Sequence, residues 1–410
     1  MRSCHVLALM QPSSSQIDIA ALDEFVDLAG VRAWRERLAA LERFAMRPTH
    51  AGRAALQRHT IELTIDRLRR IGRNRPPSVA ECRIAGLAAD AARLNGDLRG
   101  PGRNRLRALI QAALENVSTL VPAFHLLRTA ALQRARGFDV AFPGLDDQAS
   151  FDLLLCRDGV EAEVACDVVS AEEGRGVHRG AWFSLVDRID PELQVWLAGH
   201  PGRYLLKMTL PQGLKDQPEG TALAALHGRI TAMLSNRRRA DHDEAAVLRL
   251  DPLMLAAAQA SELGLMPRLR DQFGPEAHLS VTRADGGLFV IAARSGRENE
   301  VAVAVRRRMC AVAPARLSGA RPGILAMFVE DTDRTEWRLL RERMDLEGEA
   351  RQFLTDPGAR SVVAVTCSSR LEMFGMTGPD AAPDGEFRFR NPAHPAAKTA
   401  ALAPAVLSSI

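Results

Sequence analysis

Carboxylates recur at every second position in Glu161-Ala162-Glu163-Val164-Ala165-Cys166-Asp167, with an alanine in one of the slots, and another, Asp152, opens the apolar run Leu153-Leu154-Leu155. Side chains alternate along a strand, so Glu161, Glu163, Ala165 and Asp167 share one face, while Ala162, Val164, Cys166 and Val168 line the other. If Asp158-Gly159 forms a two-residue turn, Arg157 pairs with Val160 and Asp152 lies directly opposite Ala165. Glu163 and Asp167 are then diagonal neighbours of Asp152, within reach for side chains that converge on an ion. Magnesium takes a few carboxylates and completes its shell with water, so such a cluster suits Mg2+ or Mn2+. A metal held there would stabilise charge on a phosphate and lower the pKa of its bound water. Downstream, Arg175, His178 and Arg179 form a basic loop that could receive a phosphate. Lys207 lies in the apolar run Tyr204-Leu205-Leu206-Lys207-Met208-Thr209-Leu210.

These residues must be positioned by regular elements. A helix from about 122 to 136 stops at Gly137, a typical helix-ending residue. Phe138-Asp139-Val140-Ala141-Phe142 alternates as a strand, and a hairpin over 151–169 follows. A helix spans about 180–198, carrying Trp182, Phe183 and Leu185, and then comes the buried strand at 204–210. The order is helix, three strands, helix, strand. A return from hairpin to strand through a helix implies a crossover and a sheet covered on both faces.

That order, with the acidic hairpin, resembles the αβββαβ core of the PD-(D/E)XK nuclease-like family, which has the restriction-endonuclease-like fold. The resemblance covers residues 122–215 and implies an Asp at the start of one strand and a Glu-x-Lys on the next. It also implies carboxylates holding a divalent metal, and a lysine that orients the attacking water. Asp152 matches the first acidic position, and Ala165-Cys166-Asp167 falls where the Glu-x-Lys belongs. The second carboxylate is replaced by alanine and the lysine by an acid. Three readings stay open. Glu163 or Asp167 stands in for the lost carboxylate, with Lys207 on an adjacent strand as a migrated lysine; or the fold binds nucleic acid or protein without cutting; or the face is a solvated strand surface. The implied catalytic and metal-binding residues are Asp152, Glu163 and Asp167, with Lys207 added as the base-side lysine. Mg2+ or Mn2+ is the cofactor if the site is active, and none otherwise.

The rest of the chain frames that core. At 410 residues it is long for one domain, and 47% apolar and 25% charged residues are ordinary for a globular protein. The expected division is a disordered leader at 1–18, an all-α domain at 19–121, the core at 122–215, an α/β extension at 216–392 and a flexible tail at 393–410. Leu22, Phe25, Val26 and Leu28-Ala29 recur at helical spacing in the all-α part. In the extension, strands are expected near 245–250, 278–283, 287–293, 323–329 and 361–367, with helices near 220–236, 297–312 and 335–354.

The formal charge of +4 is small for this length. Lys207, Lys215 and Lys398 are the lysines, and the remaining basic side chains are arginines, which suits phosphate recognition or reflects a GC-rich genome. Six cysteines lie far apart without a CxxC pair or a His cluster, so a structural zinc site is not expected. No secretory signal or membrane-length apolar run occurs, which points to a cytoplasmic protein. No Walker, dinucleotide or GxSxG pattern is present. Arg237-Arg238-Arg239 and Arg306-Arg307-Arg308 read as favourable charge near helix ends. The partners in view are DNA or RNA, with a protein partner or a homo-oligomer as the other possibility and no membrane. The rival to a nuclease-like function is a non-enzymatic interaction scaffold on the same fold.

Overall fold

The computed structural model describes residues 17–46, 49–71, 75–216, 220–253 and 262–409. Most of the expected disordered leader, residues 1–16, lies outside the described residues. Asp18 caps the first helix, its carboxylate accepting from the Ala20 and Ala21 amides at 3.0 and 3.3 Å.

The chain divides into two compact α/β units. One takes Met1–Arg43, Leu56–Ala171 and Ala302–Ile410, and the other takes Phe44–Ala55 and Glu172–Val301. The N-terminal helices are α1 (Ile19–Ala29), α2 (Val31–Ala45), α3 (His50–Arg58), α4 (Thr60–Ile71), α5 (Val79–Asp97), α6 (Gly100–Ala112) and α7 (Val121–Ala135). They do not form a separate all-α domain. Their buried side chains, such as Leu22, Phe25, Trp34, Ile65 and Ile84, join one apolar cluster with Leu153, Val164, Ile324 and Phe328 from strands.

Helix α7 is buried nearly all round, and its sheet-facing stripe is polar: His125, Arg128, Thr129, Gln133 and, at its cap, Arg136. Arg136 pairs with buried Glu386 at 2.5 Å. The His125 Nε2 donates to the Ala326 carbonyl at 2.8 Å, and burial lowers the imidazole pKa to about 4.

The first sheet runs β1 (Asp139–Ala141), β2 (Leu153–Arg157), β3 (Val160–Ser170), β9 (Gly323–Glu330), β10 (Val362–Ser369) and β11 (Phe387–Arg390) in spatial order. β1, β2 and β3 form an antiparallel meander, β9 lies parallel to β3, β10 lies parallel to β9, and β11 returns antiparallel. Between β3 and β9 the chain builds the Glu172–Val301 part of the second unit and then helix α11 (Val301–Arg316). The expected placement of 204–210 beside the hairpin is therefore corrected: an equally apolar strand far along the chain, β9, takes that position. The helix expected over 335–354 is broken into α12 (Arg334–Glu342) and α13 (Asp345–Leu354) at Met344, whose φ of 60° lies in the left-handed region. The expected flexible tail is corrected as well. Ala397, Leu402, Ala405 and Val406 are buried, and the Arg388 Nε donates to the Leu407 carbonyl at 2.8 Å.

In the second unit, α8 (Arg179–Gly199), β4 (Arg203–Leu210), α9 (Thr221–Ser235), β5 (Ala240–His242), β6 (Val247–Pro252), α10 (Glu262–Phe273), β7 (His278–Ala284) and β8 (Gly287–Ser295) follow in turn. The sheet order is β5-β6-β4-β8-β7, with β4 and β8 parallel and every other pair antiparallel. Leu206, Met208, Phe289 and Ile291 face α8 and α9 through Trp182, Leu185, Ile189 and Ile230. On the opposite face Leu205, Val290 and Ala292 meet Leu265 and Leu269 of α10. No described helix is long and apolar enough to cross a membrane.

Candidate functional site

The hairpin has the register that its turn dictates. Asp158 and Gly159 hold φ of 50° and 74°, the pair of positive values that a tight two-residue hairpin turn requires. Arg157 pairs with Val160 and Leu153 with Val164, and the Asp152 amide donates to the Val164 carbonyl at 2.9 Å. Asp152 thus stands across from Ala165, which is fully buried. Glu161, Glu163, Ala165 and Asp167 lie on one face of β3 by alternation.

Each carboxylate on that face has a partner from α11 or the segment that leaves it. Arg316, in the last turn of α11, donates from Nη2 to Asp152 Oδ1 at 2.7 Å. The Cys166 amide donates to the other Asp152 oxygen, also at 2.7 Å. Arg308 forks onto Asp167, with Nη2 at 3.1 Å from Oδ1 and Nε against Oδ2. Glu163 is completely buried and accepts from the Ser318 amide at 2.8 Å and from the Ser318 hydroxyl, with the Arg321 Nη1 at 3.5 Å. The Arg321 Nε reaches Glu161 at 2.6 Å. Charge-assisted bonds of this kind are among the stronger polar contacts in a protein. Burial pushes the Asp152 carboxyl above its ordinary pKa, and the Arg316 guanidinium opposes the shift. Burial also holds the neighbouring Cys166 thiol protonated, far from a reactive thiolate.

This donor set does not fit a divalent cation. Among the described residues no three His, Cys, Asp or Glu side chains group as metal ligands. Asp152, Glu163 and Asp167 instead take guanidinium, hydroxyl and amide donors on the oxygens a metal would need. What the arrangement can do chemically is neutralise itself.

The remaining expected residues lie elsewhere. Lys207 belongs to β4 of the second sheet, between β6 and β8, so its expected role beside the hairpin is corrected. Arg175, His178 and Arg179 also belong to the second unit, whereas the acidic face belongs to the first. Arg175 is buried against Glu172, whose second oxygen accepts from the Arg179 amide at 2.9 Å. His178 Nδ1 accepts from the Asp216 amide at 3.3 Å. Glu172 therefore ties down the start of α8, the favourable place for an anion.

Arg308, Arg316, Ser318 and Arg321 were not foreseen as neighbours of the acids. Arg306-Arg307-Arg308 is not near a helix end: it lies mid-helix in α11, with Arg306 on Glu349 of α13 and Arg308 on Asp167. The available signal was the amphipathic pattern of α11. Val301, Val305, Met309, Val312 and Ala313 are its buried side, which leaves Arg308 and Arg316 to flank that side two turns apart. No protein-family model, no curated protein and no solved structure matches the chain.

Proposed function

We propose that the first unit is a PD-(D/E)XK-like fold that has lost metal-dependent cutting, and that the protein binds nucleic acid without hydrolysing it. The element order supports the fold reading. Helix α7, the β1-β2-β3 meander, α11 and parallel β9 follow the αβββαβ pattern, with residues 172–301 of the second unit inserted between third strand and second helix. The observation that carries the loss of cutting is the pairing of Asp152 and Asp167 with Arg316 and Arg308, across from and beside an alanine where a ligand belongs. A guanidinium bound to each of these carboxylates supplies there the positive charge that a metal would otherwise bring, so a cation would have to compete with it for the same acid. The cysteines described are free thiols, which suits a cytoplasmic protein.

The test is to incubate the full chain with labelled single-stranded and duplex DNA and RNA in millimolar Mg2+ or Mn2+, reading binding and strand length together. The expected result is a bound, intact strand. Cleavage that disappears in Asp152→Ala would overturn the loss of cutting. Absence of binding to every nucleic acid would favour the rival, an interaction scaffold on the same fold. What makes that rival specific is that every carboxylate of the acidic face is paired with an arginine, Arg321 serving both Glu161 and Glu163, which weakens the pull of that face on a metal.

A further inference from the structure

We infer that the exposed part of the second sheet, where Lys207, Arg249 and Arg294 share a face, grips the phosphate backbone of a nucleic acid. This rests on the nucleic-acid reading above and gives it a surface.

Register places the three cations together. Lys207 of β4 stands directly opposite Arg249 of β6, and Thr209 pairs with Arg294 of β8. Alternation then puts Lys207, Thr209, Arg249 and Arg294 on one side of the sheet, across three neighbouring strands. On the same side, Leu205, Val290 and Ala292 pack against α10. Beyond that cover the Arg249 side chain is 70% exposed and that of Lys207 is 44% exposed.

Like charges directly opposite in an antiparallel pair repel, so Lys207 facing Arg249 is an unfavourable arrangement for the fold alone. A single carboxylate serves both: Asp251 lies 3.2 Å from the Lys207 Nζ and 3.0 Å from the Arg249 Nε. Arg294, also exposed, adds a third positive charge to the patch. Three cations against one acid leave an excess positive charge on a pleated surface, the electrostatic complement of a phosphate chain. Among the described residues the patch carries no exposed aromatic side chain to stack on bases, so the contact it offers is to phosphate rather than to base edges.

The experiment is fluorescence anisotropy on the full chain with labelled single-stranded and duplex oligonucleotides, at about 50 and about 200 mM salt. The variants are Lys207→Gln/Arg249→Gln/Arg294→Gln together, and Arg32→Gln as a control for loss of one exposed charge elsewhere. The triple variant is expected to bind at least about tenfold more weakly, with the slope of log affinity against log salt shallower by roughly three, one for each lost phosphate contact. The control is expected to bind as the parent does. Melting curves on each variant confirm folding, and the double variant Lys207→Arg/Arg294→Lys, which keeps the charges, is expected to retain binding. Parent-like affinity and salt slope in the triple variant would overturn the patch while leaving the function reading intact. A parent protein that binds no nucleic acid would overturn both. Patch-dependent binding to phosphatidylserine vesicles without nucleic-acid binding would assign the surface to a membrane and overturn the inference.

Discussion

The two sheets treat charge in opposite ways. On β3 of the first unit, Asp152, Glu163 and Asp167 are matched by Arg316, Ser318 with Arg321, and Arg308, and Glu163 is wholly buried. On the face of β4 and β6 in the second unit, two cations share one carboxylate and stay exposed. Charged residues at strand spacing thus have two unrelated meanings. On the first sheet arginines from one helix and the segment after it meet the acids; on the second, the counter-charge falls short of the cations. On the reading proposed above, the alternation of acids that first suggests a metal site belongs to the structural kind.

Breaking that contrast should cost most at Glu163. Glu163→Ala strands the Ser318 amide and hydroxyl and leaves Arg321 short of a partner, and should lower stability of the first unit by about 4 kcal/mol in urea denaturation. A loss below about 1 kcal/mol would show that the network is loose.

Acid should come next, and should affect both units alike. His125 in the first unit and His278 in the second are each held near a pKa of about 4, by burial foremost and, for His278, by Arg179 and Arg175 as well. Each is neutral when folded, whereas the unfolded imidazole titrates near its ordinary value of about 6.5. Below that value the unfolded chain takes up a proton that the folded chain refuses, so stability falls with pH between about 6.5 and 4. The limit is about 3 kcal/mol for each histidine. His125→Gln should flatten the part of this slope that belongs to the first unit, as read by denaturation at several pH values.

Smaller effects separate the two faces. Arg316→Ala leaves the mostly buried Asp152 with the Cys166 amide alone, and about 1 kcal/mol should be lost, discounted because Arg316 is partly exposed. Asp251→Ala removes a half-buried acid between two exposed cations. Its effect on melting should stay within about 0.5 kcal/mol, while nucleic-acid affinity should rise. A fall in affinity would contradict the excess-charge account of that face.

Much of this was legible in the chain because it is local. The Asp158-Gly159 turn sets the hairpin register, and the helices at 122–136, 180–198 and 220–236 follow from nearby periodicity and stop signals. What was not legible is pairing between distant segments. Strands 204–210 and 323–329 are both near-continuous apolar runs, and such runs carry no register information. Proximity in sequence favoured the first; the fold uses the second. The same distance hid the site. Ser318 meets Glu163 across 155 residues, and nothing local to Arg308 or Arg316 says that an acid waits opposite. The tail misled through composition, since Ala and Pro suggest a loose segment although Leu402, Ala405 and Val406 fill a groove of the core.

The most direct measurement is calorimetric titration of Mn2+ into the parent protein and into Arg308→Ala/Arg316→Ala, with Asp152→Ala as reference. If the acidic face is closed by its own arginines, the parent gives no saturable heat at millimolar Mn2+, and its trace matches that of Asp152→Ala. A single saturable site in the parent that vanishes in Asp152→Ala would contradict the account and restore Asp152, Glu163 and Asp167 as ligands of a working metal centre.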